Sequence, residues 1–122
     1  MRRRFIPVFI LFLVLPCFGR LVQVDGSSVR TPHRVQIMAQ RYSFQPASVT
    51  LKVGEPVVLV LQSQDVAHGL HFQGLDLDLK APKGRSTQAT FTPTKAGVFV
   101  GHCSVFCGAG HGGMTLTLNV EP

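Results

Sequence analysis

Val98-Phe99-Val100-Gly101-His102-Cys103-Ser104-Val105-Phe106-Cys107-Gly108-Ala109-Gly110-His111-Gly112-Gly113-Met114-Thr115-Leu116-Thr117-Leu118-Asn119-Val120 divides into three parts. An apolar run leads into a glycine-rich loop, and a strictly alternating run follows. The alternation of Leu116, Leu118 and Val120 with polar residues has period two, the signature of a half-buried strand. The spacing predicts two strands joined by a loop over 103–114. Glycines 108, 110, 112 and 113 let that loop turn sharply enough for its side chains to converge.

Outward from this stretch the same texture recurs. Val35, Ile37 and Ala39 alternate with Gln36, Met38 and Gln40. Val49–Val53 forms a second strand, closed by Gly54-Glu55-Pro56. Val57–Leu61 is wholly apolar and reads as an interior strand. Residues 67–73, 75–79 and 88–92 are further short candidates. Gly and Pro punctuate the intervals, and no segment after residue 20 carries a helical stripe. Many short strands of this kind predict an all-β sandwich, with its ligands on loops held by a rigid scaffold.

The loop is rich in soft donors. Cys103, Cys107, His111 and Met114 fall within twelve residues, and His68 stands upstream in Asp65-Val66-Ala67-His68. Thiolate, thioether and imidazole together select copper over magnesium, calcium or manganese. The pattern points to a dinuclear copper centre that moves single electrons. Two bridging thiolates spread one electron over two metals, so each bond length changes less. Leu70, Phe72, Val100, Val105 and Phe106 are apolar neighbours able to shield such a site or fill the core. Val100 is expected in the core, and Phe106 is a candidate for an exposed docking surface. His71 and His102 are expected to be non-ligands.

Other readings of these residues remain open. A Cys103–Cys107 disulfide is one, since an exported domain permits it. A mononuclear blue-copper site would use His68, Cys107, His111 and Met114 and leave Cys103 idle. A copper chaperone or thiol-redox protein would use the Cys-x3-Cys pair. A zinc site of Cys103, Cys107, His111 and His68 would leave Met114 idle. No acid–base or nucleophilic constellation competes. Strand alternation does not by itself pair Asp65 with His68, and Asp76 and Asp78 read as a solvated strand face.

The chain has 122 residues and a formal charge of +6. Setting Arg2, Arg3, Arg4 and Arg20 aside from the 12 Lys+Arg leaves 8 against 6 Asp+Glu, a net +2. That balance gives nucleic-acid binding little support. Three arginines followed by an apolar run from Phe5 to Phe18 make a basic and then a hydrophobic segment. The run is shorter than the roughly 20 residues of a relaxed membrane-spanning helix. Residues 1–20 are therefore expected to be a signal peptide, with an uncleaved membrane anchor as the alternative. Cys17 hints weakly at lipidation. Residues 21–32 read as a linker and 33–122 as the domain, exported to the periplasm or to the periplasmic face of the inner membrane.

The segment Asp65-Val66-Ala67-His68-Gly69, with Cys103 to Met114, resembles the CuA domain of cytochrome c oxidase subunit II. The likeness is to the short class with one N-terminal anchor and to small stand-alone exported relatives; nitrous oxide reductase carries a similar domain. Tyr42-Ser43-Phe44-Gln45-Pro46, Lys52-Val53-Gly54 and Phe91-Thr92-Pro93 extend the likeness from His33 to Val120. The resemblance implies a cupredoxin-like Greek-key β-sandwich. It implies two copper ions bridged by Cys103 and Cys107, with His68 and His111 on one copper each. Met114 would be a weak ligand to one copper and the Val105 carbonyl to the other. The implied donor is a c-type cytochrome or similar redox protein, and the implied acceptor a haem–copper oxidase core subunit. A copper chaperone would load the site, and the isolated domain would catalyse nothing. Two features depart from the family: Val105 replaces its usual Glu or Gln, and the chain contains no tryptophan. Tyr42, Phe44 or Phe106 are the candidates to take the place of the ring at which electrons enter.

Overall fold

A computed structural model describes residues 30–122, together with Gly19 and Gly26. The expected leader and most of the expected linker lie outside the described residues. Nine strands form: β1 (His33–Gln40), β2 (Ser43–Gln45), β3 (Ser48–Lys52), β4 (Val57–Ser63), β5 (His68–Phe72), β6 (Leu77–Ala81), β7 (Ser86–Phe91), β8 (Gly97–His102) and β9 (Thr115–Glu121). The only helical element among the described residues is a single 3-10 turn, His111–Gly113.

The strands make two sheets, one ordered β2-β1-β4-β7 and the other β3-β9-β8-β5-β6. Strand β1 runs parallel to β4 and β3 parallel to β9, while the remaining pairs are antiparallel. The chain crosses between sheets after β2, β3, β4, β6 and β7, which gives the cupredoxin-like Greek-key sandwich.

Period-two patterning explains why the sheets close on each other. Val35, Ile37 and Ala39 of β1 and Val57, Leu59 and Leu61 of β4 supply one inner face. Leu70 and Phe72 of β5, Leu77, Leu79 and Ala81 of β6, and Leu116, Leu118 and Val120 of β9 supply the other. Fully burying a side chain of Leu or Phe size contributes about 1.5–3 kcal/mol. In the centre, the Phe72 ring lies over Gly101, its direct partner on β8. A larger residue at 101 would collide with that ring.

Val100 corrects an expectation. It is 42% exposed rather than in the core. Cys103 faces inward at the end of β8, so alternation turns Gly101 inward and Val100 outward.

The sheets bring five strand ends to one pole. Gln40 and Ser63 end the parallel pair β1 and β4, His68 begins β5, His102 ends β8, and Thr115 begins β9. Gln64 N–H donates to the Ala39 carbonyl at 3.0 Å, and the Ser63 hydroxyl donates to the Val66 carbonyl. These bonds fix the turn that carries Asp65 to His68.

Candidate metal centre

Cys103, Cys107 and Met114 are buried at this pole, and His68 is 0% exposed. Both thiols are free, with their sulfurs 3.8 Å apart. Each thiol has its own imidazole. His68 Nδ1 lies 3.9 Å from Cys103 Sγ, and His111 Nδ1 lies 3.7 Å from Cys107 Sγ. Each also has a weaker donor beside it. The Val105 carbonyl is 3.1 Å from Cys103 Sγ, and Met114 Sδ is 3.4 Å from Cys107 Sγ. All six residues singled out in the sequence therefore converge. The ligand atoms of His68, Cys103 and Cys107 lie within 4.8 Å of one another, close enough to hold an ion.

The loop holds itself in shape. Cys103 N–H donates to the Met114 carbonyl at 3.2 Å, which ties its two ends together. Inside it, His111 N–H donates to Gly108 O at 3.2 Å, and Met114 N–H to His111 O at 3.3 Å. Gly108 adopts φ +137, and both it and Gly110 pack against the Tyr42 ring with no room for a β-carbon. Only glycine meets both demands at 108. Gly69 is constrained similarly, because a β-carbon there would run into Ser104 Oγ and stand 3.1 Å from Val105 N.

Asp65 does pair with His68, at 2.7 Å between Oδ1 and Nε2. The alternation argument does not reach it, because Asp65 lies in the turn before β5 and not in the strand. Burial pushes the Asp65 carboxyl up, but hydrogen bonds from Arg41 N–H, His68 and Val66 N–H outweigh it and bring the pKa down to about 2. The carboxylate can only accept, so the bond takes a proton from His68 Nε2 and leaves Nδ1 as the ring nitrogen that faces Cys103.

Arg41 was not anticipated from sequence. Its Nε donates to the Cys107 carbonyl at 2.8 Å and its backbone N–H to Asp65 Oδ2 at 2.8 Å. One residue after β1 thus braces both the loop and the His68 support. Nothing local in the sequence marks it, since its partners are 66 and 24 residues away.

Burial, reinforced by the neighbouring Cys103, pushes the Cys107 thiol up to about 11. A metal must therefore displace a proton to bind it. Two thiols, two imidazoles, a thioether and a carbonyl fit a soft transition metal.

Of the three rings suggested for electron entry, Phe44 is excluded by burial, at 1% exposed. Tyr42 is partly exposed, and Phe106 is 78% exposed at the tip of the loop, 5.6 Å from the His111 ring centroid. His71 and His102 lie on the outer face of their sheet, away from the thiols.

Several solved structures share this architecture. A chain of a haem–copper terminal oxidase dimer solved by cryo-EM matches with TM-score 0.66 and 28% identity, over 73% of this chain and 65% of that one. The chain thus spans just under two thirds of that relative's length. The periplasmic domain of cytochrome oxidase subunit II from Bradyrhizobium japonicum matches with TM-score 0.67 and 18% identity, over 73% of this chain and 83% of that one. The blue copper protein auracyanin A of Chloroflexus aurantiacus matches with TM-score 0.60 and 17% identity, over 75% of this chain and 100% of that one. A family model for the periplasmic domain of cytochrome c oxidase subunit II matches residues 20–120, nearly the whole chain, and the chain belongs to that family.

Proposed function

We propose that this domain is an electron relay built on a dinuclear copper centre of the CuA type. Cys103 and Cys107 would be shared by both ions, His68 and His111 would hold one each, and the Val105 carbonyl and Met114 would be the weak donors. When bound, the copper pair takes up and releases a single electron. The observation that carries the reading is the duplication around the thiols, 3.8 Å apart, each with an imidazole within 4 Å and a weak donor nearer still.

The chain's own residues do the rest. Asp65 orients His68, Arg41 braces the Cys107 carbonyl, and the closed loop limits how far the donors shift between oxidation states. Phe106 offers an exposed apolar contact beside His111 for a redox partner. The donor in this reading is a c-type cytochrome or similar protein, and the acceptor a haem–copper oxidase core subunit. A copper chaperone loads the site after export, and the domain works on the periplasmic side, as a free carrier or anchored by residues 1–20. It performs no catalysis alone.

A mononuclear blue-copper site is the competing reading, and the likeness to auracyanin keeps it in play. That site needs one thiolate, so Cys103 decides. Electron paramagnetic resonance on the copper-loaded protein, with a metal count, tests the proposal. Hyperfine coupling shared over two nuclei at two coppers per chain is expected, and Cys103→Ser should abolish it. A one-copper spectrum that survives Cys103→Ser would replace the dinuclear reading with the mononuclear one.

A further inference from the structure

Two histidines take no part in the thiol centre, and the fold sets them against each other. His71 of β5 and His102 of β8 are direct cross-strand partners. Both are exposed and face outward, because their neighbours Leu70, Phe72, Gly101 and Cys103 face the core. Directly opposed residues on an antiparallel pair hold their β-carbons about 5 Å apart, close enough for two imidazoles to grip one ion.

A third donor stands in the same row. His71 is also the register partner of Asp78 on β6, the strand on its other side. Asp78, His71 and His102 thus lie side by side across three neighbouring strands of one sheet. The Asp78 carboxylate is only loosely engaged, 3.3 Å from Ser104 Oγ and 4.0 Å from Lys80 Nζ, both at the surface. The ion pairs among the described residues are Asp65–His68 and Asp78–Lys80, and neither uses His71 or His102.

We propose that His71 and His102, assisted by Asp78, form a second, solvent-facing site for a divalent transition ion. Two imidazoles and a carboxylate, with water completing the shell, suit Cu2+, Zn2+ or Ni2+ and leave Mg2+ and Ca2+ unbound. The sheet fixes the backbones of the three residues, but their donor atoms are not gathered within 4.8 Å of one another as those of His68, Cys103 and Cys107 are, so an ion would draw the side chains together. The site is independent of the thiol centre: the rings lie on opposite sides of the sheet from Cys103 and His68, although His102 is next to Cys103 in the chain.

The test uses the full chain carrying Cys103→Ser and Cys107→Ser, titrated with Cu2+ by calorimetry and paramagnetic resonance. One equivalent should bind with nitrogen coupling from two imidazoles. Adding His71→Ala or His102→Ala should each weaken it about a hundredfold, since either removes the second, intramolecular donor. Asp78→Asn should weaken it about tenfold, with both imidazoles kept. Unchanged affinity after loss of both histidines would overturn the proposal and assign the ion to the remaining His33, His68 and His111. If the double cysteine variant does not fold, Zn2+ added to the unsubstituted chain beyond saturation of its thiols gives the same decision. The ring resonances of His71 and His102 should then shift together, and a second equivalent that leaves them in place would refute the site.

Discussion

Arg41 gives its backbone N–H to Asp65 Oδ2 at 2.8 Å, and the other oxygen of the same carboxylate holds His68 Nε2 at 2.7 Å. The imidazole is therefore aimed by a chain of two bonds that begins in a turn of the opposite sheet. Removing the middle member should free the ring to rotate. Asp65→Ala is expected to weaken copper binding about 10–100-fold, as loss of the group behind a ligating histidine does elsewhere. Asp65→Asn keeps an acceptor oxygen and should lose less. Competition against a copper chelator of known strength checks both.

Acid should expose the same carboxylate in the metal-free protein. Its pKa falls from 3.8 to about 2 on folding. A depressed carboxyl stabilises the fold above its unfolded value, and that contribution disappears as pH drops from about 4 towards 2. The side chain is 36% exposed, so solvent screens the effect and it should be small. Chemical denaturation at a series of pH values should show the gap between the unsubstituted chain and Asp65→Asn narrowing across that window. A gap that stays constant would mean the bond carries no charge-dependent stability.

Loading should release protons. The Cys107 thiol, pushed up to about 11 by burial and by Cys103, is protonated at neutral pH before metal arrives. Apparent copper affinity is therefore expected to rise with pH through the neutral range, and titration in a weakly buffered indicator should acidify the solution. Alkylation of the metal-free chain should be slow at neutral pH for the same reason.

Two glycine substitutions should separate packing from loop geometry. A β-carbon at Gly101 would stand 2.6 Å from the Phe72 ring and 2.9 Å from Leu70 Cδ1, in the closed interior. Gly101→Ala is expected to cost about 1–3 kcal/mol, the range for overpacking. Gly112 has nothing within 4 Å of such an atom. Gly112→Ala should stay within about 0.5 kcal/mol. Urea unfolding of the two variants measures both.

Much of this architecture is written locally. The alternations of β1 and β9 and the apolar run of β4 predict strands that the fold contains, because one buried face imposes period two on the residues themselves. Other boundaries are less well marked. The candidate over 75–79 begins in the structure at Leu77, since Leu75 belongs to a turn closed by Leu77 N–H donating to Leu75 O at 2.8 Å. Leu75, Leu77 and Leu79 share one period, so the pattern continues smoothly through the boundary. Strand β7 starts at Ser86 rather than residue 88, because backbone pairing with Gln62 and Leu61 extends it through polar residues. The donors that converge at the pole were readable from residue chemistry and spacing. Arg41 and the Asp65–His68 pairing were not, because both depend on where distant turns meet.

The bond from Cys103 N–H to the Met114 carbonyl closes the intervening segment at its base, where β8 and β9 are already zipped from His102↔Thr115 onward. Between those clamps Ser104, Phe106, Ala109 and Gly112 face solvent, and changes there need not propagate into the sandwich, whereas Cys107 and Met114 belong to its core. The segment is in effect a cartridge seated by its buried residues: its exposed positions can be exchanged while the apolar side chains beneath it stay as they are. Inheritance can then alter what this pole presents to a partner without first solving the folding problem again.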